Sequence, residues 1–284
     1  MTHTKLSLAA QKKHQRGATL IELLVGITIG LLTVVVGLGA VVVSRSLSGT
    51  VSDASRLQQQ ASYAFRVIGQ QLRQTAGLAI DPTTGTKANV EFAVFTSAPT
   101  SPISGKESPA SSEYKLSLAY QSSLEPVYAS PTATAASNGY LLRNCLAENP
   151  DSTNAVIAPV LESKFKLDAN NNLVCAGSGA AQPIVSGVVD FQVTYLQQEL
   201  NTATKQPQFR YTTATNIATS ADWGNVHAVE VCLEFEGDEI IDTAGSTYRD
   251  CNWKTGDAEK PRGKKMRVIY RNTFYVRNQG WQAT

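Results

Sequence analysis

At 284 residues the chain is long enough for one large domain or two small ones with a sizeable core. Its formal charge of +2 and pI of about 8.3 do not argue for nucleic acid. Residues 1–17 hold Lys5, Lys12, Lys13 and Arg16 and no acid; without them Lys+Arg falls from 25 to 21 against 23 Asp+Glu, and the net charge becomes −2. A weakly acidic remainder has no global attraction for phosphate backbones, so no nucleic-acid partner is expected.

Charge nearly vanishes between residues 18 and 43, where Glu22 is the single ionisable side chain in 26 residues. As a helix this run extends about 39 Å, more than the roughly 30 Å of a bilayer core, and it is expected to span a membrane. Four bases before the run and only Arg45 just after it place the N-terminus in the cytoplasm. The run is too long for the apolar core of an ordinary secretory signal and lacks a small-residue cleavage site beyond it. A carboxylate in such a helix costs about 2.5–3.5 kcal/mol and calls for a partner. Cleavage between Gly17 and Ala18 would create an α-amine four residues from Glu22, and a cation is the complement of a buried carboxylate.

Beyond the membrane, Val51, Ala54, Leu57, Ala61, Phe65, Ile68, Leu72 and Ala76 recur at intervals of three and four. Arg56, Gln59, Gln60, Arg66, Gln70 and Arg73 fill much of the opposite face, so an amphipathic helix is predicted, with Gly77 ending it as C′. Residues 18–76 therefore read as one long helix, weakened in its middle by Gly37 and Gly39 at about 1 kcal/mol each relative to Ala.

From about residue 90 the pattern changes to short alternating segments. Candidate strands are Val90–Phe95, Tyr114–Tyr120, Gly139–Arg143, Phe165–Leu167, Leu173–Cys175, Val188–Leu196, Val226–Phe235 and Met266–Val276. Asp168–Asn172 reads as a turn. Thr96–Ser112, Ala129–Asn138 and much of Asn201–Ser220 read as surface loops. Alternation places Glu230, Glu234 and Glu236 on one solvated strand face.

Cys145, Cys175, Cys232 and Cys251 lie in the segment placed outside the cytoplasm, where disulfides are expected. Three connectivities are open; the sequential pairs Cys145–Cys175 and Cys232–Cys251 are favoured, each worth roughly 3–4 kcal/mol in the chain-entropy estimate. No metal site is expected, because C-x-x-C is absent and His227 is the only histidine after the leader. The same scarcity of imidazole leaves no nucleophilic triad, and Glu236, Asp238, Glu239 and Asp242 lack the spacing of a calcium loop. No catalytic residue, enzyme activity or cofactor is expected.

Arg16-Gly17-Ala18-Thr19-Leu20-Ile21-Glu22 resembles the class III signal of type IV prepilins: a short basic leader ending in Gly, a cut, Glu at the fifth mature position and an apolar helix. Ala18 departs from the Phe that usually begins a major pilin. Gly187–Tyr195, Val226–Leu233 and Met266–Asn278 are similar to the strand motifs of PilW-like minor pilins. The resemblance implies an α+β, type IV pilin-like fold: a long N-terminal helix, half in the membrane and half amphipathic, packed on an antiparallel β-sheet globular domain. It divides the chain into a cleaved leader (1–17), a transmembrane assembly helix (18–43), its amphipathic continuation (44–77) and an extracytoplasmic domain (78–284). It implies cleavage by prepilin peptidase between Gly17 and Ala18, N-methylation of Ala18, and an assembly salt bridge at Glu22. The implied role is a minor subunit that primes pilus assembly near the filament tip. Its implied partners are other minor pilins, the major pilin, the inner-membrane assembly platform and a tip adhesin, in a setting of adhesion and twitching motility. The alternative is a minor pseudopilin of a type II secretion system, which shares the signal and Glu22.

Overall fold

The computed structural model describes residues 17, 19–77, 101–122, 124–128, 130–132, 134–150, 159–201 and 203–276. Residues 1–16, Ala18 and the candidate strand Val90–Phe95 lie outside them. The chain divides into two compact units, Met1–Val51 and Ser52–Thr284.

The first unit is the start of a continuous helix, α1 (Leu20–Gln74). Thr19 opens it: its carbonyl accepts the N–H groups of Glu22 and Leu23 at 3.1 Å each, and its Oγ1 accepts from Glu22 N at 3.4 Å. A hydroxyl at the N-cap answers one of the donors that a helix start leaves unpaired. From Leu20 to Val43 every large apolar side chain is exposed, and the stretch is long and apolar enough to cross a membrane. Thr28 and Thr33 turn their hydroxyls onto Val25 O and Gly30 O, at 2.8 Å each, so neither needs water.

In the second unit α1 buries Leu57, Ala61, Ala64, Ile68 and Leu72 on one stripe. The predicted stripe began at Val51, but Val51 is exposed and the first buried side chain of α1 is Asp53. The predicted stop at Gly77 is also displaced. Ala76 takes the left-handed conformation (φ 59°), held there because its N–H bonds Ala119 O at 3.0 Å and its methyl is buried.

The strands are β1 (Ile103–Ser104), β2 (Leu116–Gln121), β3 (Leu124–Tyr128), β4 (Ala136–Tyr140), β5 (Val160–Leu167), β6 (Leu173–Ala176), β7 (Gln182–Val185), β8 (Val188–Leu200), β9 (Pro207–Thr212), β10 (Val226–Ile240), β11 (Thr247–Tyr248), β12 (Lys260–Pro261) and β13 (Lys265–Tyr275). A short helix, α2 (Ser220–Gly224), precedes β10. All pairings are antiparallel. They give a five-stranded sheet of order β1-β2-β5-β6-β7, a four-stranded sheet of order β13-β10-β8-β9, and the ribbons β3–β4 and β11–β12. Leu116, Leu118 and Phe165 of the first sheet and Phe191, Val193, Tyr195, Val229, Val231, Leu233 and Phe235 of the second share one core with the α1 stripe. Each fully buried large apolar side chain is worth about 1.5–3 kcal/mol.

Several boundaries differ from expectation. Gly139–Arg143 is displaced to Ala136–Tyr140, because pairing with Leu124–Tyr128 sets the register rather than apolar content. The predicted loops contain β1, with Ile103 fully buried, and β9. Past Phe235, β10 runs through a bulge to Ile240, where it pairs with Lys265. Asp168 does make the expected turn: its carboxylate accepts the N–H groups of Asn170 and Asn172, and Asn171 has φ 59°.

α1 and β13 approach so closely that a Cβ on Gly69 would fall against the ring of Phe274, which also stacks on Phe65 at 6.2 Å. Gly69→Ala therefore overpacks this contact. It should destabilise the globular unit by about 1–3 kcal/mol, read as a lower melting temperature of the full-length protein in detergent, although Ala is the better helix former.

Candidate functional site: the capped helix start and the clamped sheet

Two regions carry polar groups with a defined geometry. The first is the helix start. Gly17 precedes the helix, Thr19 caps it, and Glu22 stands at the third helical position with an exposed side chain. Thr-x-x-Glu is the spacing of a capping box, and Thr19 went unread as a cap in the sequence because the apolar run beside it dominated the signal. Of the residues singled out at the junction, Gly17 and Glu22 are brought within one helical turn of Thr19; Ala18 lies outside the described residues.

The second region is the outer face of the four-stranded sheet. Its acids are ion-paired and Glu234 is buried, where the alternation argument expected a solvated face. Glu234 is 2% exposed, accepting Tyr248 OH at 2.8 Å and Arg267 at 2.7 Å. Arg267 also reaches Glu236 at 2.6 Å, which Lys265 joins at 3.1 Å, and Glu230 pairs with Arg271 at 3.2 Å. The face is covered because the segment after β10 folds back over it. Cys232–Cys251 ties that segment to the strand, with Cα atoms 5.7 Å apart, and Asn252 donates to Asp190 Oδ2 at 3.2 Å. Alternation correctly put the three glutamates on one side; it could not show that a disulfide loop would roof that side.

Cys145–Cys175, with Cα atoms 6.4 Å apart, fastens the segment before β5 to β6. Here Gln71 of α1 reaches into the first sheet: its Oε1 lies 2.8 Å from both Tyr120 OH and Ser163 Oγ, and Ser163 Oγ accepts Cys145 N at 3.1 Å. His227 packs its ring edgewise on Phe209 at 5.4 Å. Among the described residues no group of three or more His, Cys, Asp or Glu is placed to hold a metal.

Two carboxylates have shifted proton affinities of opposite sign. Burial pushes Asp190 up, and the charge of Glu234 across the β8–β10 pair adds to it against the bond from Gln192. At Asp53 burial also acts upward, but Arg56 at 2.7 Å and the N–H groups of Glu239 and Asp238 outweigh it and hold the carboxyl below its usual range. Arg56 bridges on to Asp238 at 2.7 Å.

Residues 157–278 match the family model of the Type IV Pilus-assembly protein W, PilW, and residues 12–43 match the Prokaryotic N-terminal methylation motif. A type IV-like pilin from Thermus thermophilus is similar in structure, with a TM-score of 0.39 and 12% identity over 80% of this chain and 98% of that one. No curated protein matches the sequence. The methylation motif falls on the basic leader and the apolar start of α1, and the PilW match spans β5 to the end of β13; together the two matches support a type IV minor prepilin of the PilW type, and the apolar N-terminal helix fits a single-pass membrane anchor.

The opposed shifts fix a pH response. Asp190, raised in the folded state, costs stability while ionised, and that cost is relieved as pH falls through its folded pKa toward about 3.9, the unfolded value. Asp53, lowered when folded, contributes stability above about pH 3.9 that is lost as pH falls further. In denaturant unfolding of the full-length protein, Asp190→Asn should therefore gain stability relative to wild type at neutral pH, and that gain should shrink as pH falls toward about 3.9. Asp53→Asn should lose stability relative to wild type at neutral pH, and that loss should shrink as pH falls below about 3.9.

Proposed function

We propose that this subunit primes assembly of a type IV pilus and sits at or near the filament tip, with Glu22 as the residue that docks it. The carrying observation is that Glu22 is the only ionisable group on the apolar stretch of α1, one turn inside a helix start capped by Thr19 and next to the Gly17–Ala18 junction. Cleavage at that junction leaves a mature chain beginning at Ala18, whose methylated amine and that of each neighbour are the cations a lipid-embedded carboxylate needs. Docking beside a neighbour's amine supplies a driving force for leaving the bilayer and an axial register. The bases of the leader keep the N-terminus cytoplasmic, which places residues 78–284 and both disulfides on the periplasmic side. The match over residues 157–278 favours a pilus over a secretion pseudopilus. On this reading the partners are the prepilin peptidase, the other minor pilins, the major pilin, the assembly platform and a tip adhesin.

Intact-mass analysis of the protein recovered from membranes should give a chain starting at methylated Ala18; a start at Met1 or beyond Val36 would overturn the assignment.

Glu22→Gln keeps size and polarity but removes the charge. The variant should be processed, disulfide-bonded and membrane-held, yet recover partner pilins poorly in pulldown and lower surface pili by about tenfold or more, given the 2.5–3.5 kcal/mol at stake in lipid. Normal piliation would leave helix packing and globular contacts to account for assembly.

A further inference from the structure

Lys115 stands immediately before β2 and is 7% exposed. A lysine so deeply placed persists only where its ammonium is partnered, and here its three donors meet three acceptors. Nζ donates to Gln192 Oε1 of β8 at 2.7 Å. It also donates to Glu107, between β1 and β2, at the backbone carbonyl and at Oε1, the latter at 3.1 Å.

The Gln192 amide is oriented by its neighbours. Its oxygen faces the ammonium, and its nitrogen donates to Asp190 Oδ1 at 2.7 Å, while Asn252 holds the other carboxylate oxygen at 3.2 Å. Exchanging the two ends of the amide would set an N–H donor against an ammonium. A lysine nitrogen, a carboxylate and a carboxamide are therefore held together, and the carbonyl carbon lies one bond beyond the oxygen that Nζ touches.

We propose that Lys115 and Gln192 join as an intramolecular amide. Glu107, as general base, takes a proton from the Lys115 ammonium. The free amine attacks Gln192 Cδ; the Nζ–Cδ bond forms and the Cδ–Nε2 bond breaks. The departing nitrogen takes the second proton lost by Nζ and leaves as ammonia, which the proton on Glu107 converts to ammonium. No oxidant or added reactant is consumed, and Asp190 serves as a positioning group for the amide. The two partners are held side by side by the fold, which removes the entropy cost of bringing them together.

The bond would complete what the two cystines leave open. Cys145–Cys175 fastens a segment to β6 of the first sheet and Cys232–Cys251 a segment to β10 of the second, so among the described residues no disulfide joins one sheet to the other. Lys115 leads into β2 of the five-stranded sheet and Gln192 lies in β8 of the four-stranded sheet. An amide between them makes the two sheets one covalent body that withstands reduction, whether or not the subunit occupies a pilus tip.

Mass spectrometry of the full-length protein recovered from membranes, denatured, reduced, alkylated and cut with trypsin, tests the bond. Residues 107–143 and 167–205 should appear as one branched species, uncut after Lys115 and lighter than their sum by the mass of one ammonia. Lys115→Arg keeps the cation without a nucleophilic amine, and should release 107–115, 116–143 and 167–205 separately. Glu107→Gln should lower the joined fraction by about tenfold or more at equal time after synthesis. Intact disulfides in both variants show that they are folded. Separate 107–115 and 167–205 at full mass in the wild type would overturn the bond, as would a branched species in Lys115→Arg. Complete joining in Glu107→Gln would overturn the role given to Glu107.

Discussion

A single helix here has to be stable in two solvents, and the rest of the molecule follows from how its sequence changes between them. In its first half the backbone satisfies its own hydrogen bonds and its side chains ask only for hydrocarbon; even the hydroxyls of Thr28 and Thr33 are turned back onto the helix. In its second half the same backbone geometry is held by a buried stripe, and the two sheets are arranged around that stripe. Leu57, Ile68 and Leu72 touch the core that Phe165, Phe191 and Phe235 also fill, so the sheets and the helix cannot be assembled independently. Two polar fasteners supplement this burial at separate points along α1: Asp53 with the bulge of β10, and Gln71 with Tyr120 and Ser163.

Sequence reasoning was strongest where a single physical demand governs many residues at once. The apolar stretch, the 3.6-residue periodicity beyond it, and the long strands at 188, 226 and 266 each repeat one pattern over ten residues or more. It failed where a neighbour decides. β1 has two residues and β9 is exposed along nearly its whole length, so neither carries a pattern of its own; pairing creates them. Ala76 adopts a conformation that glycine normally supplies because Ala119 O and the surrounding core demand it. Asp53 belongs to no repeated pattern in the sequence, and only the bulge that brings Glu239 N to it explains its burial. At the helix start, Glu22 was conspicuous as a lone charge, whereas Thr19 was legible from its spacing to Glu22 and was overlooked.

The acids of β10 show how ordinary strand chemistry can be turned inward. Three glutamates on one face of the same strand would repel one another on a bare sheet. Arg267, Lys265 and Arg271, all on β13, neutralise them, and Tyr248 closes over Glu234. The bases of the C-terminal region are thus largely spent within the fold. Charge in the described residues thus organises one sheet face.

The Cys232–Cys251 tether divides outward surface from attachment. Because the segment it holds covers the outer sheet face, a molecule approaching from that side meets Arg249, Trp253 and Lys254 of the loop before it meets β10. The cystine, the ion pairs, Tyr248 and the Asn252–Asp190 hydrogen bond carry the attachment, so the outward side chains of the loop are not what holds it to the strands beneath. A protein built this way separates the surface it shows on that side from the contacts that fasten it to the sheet.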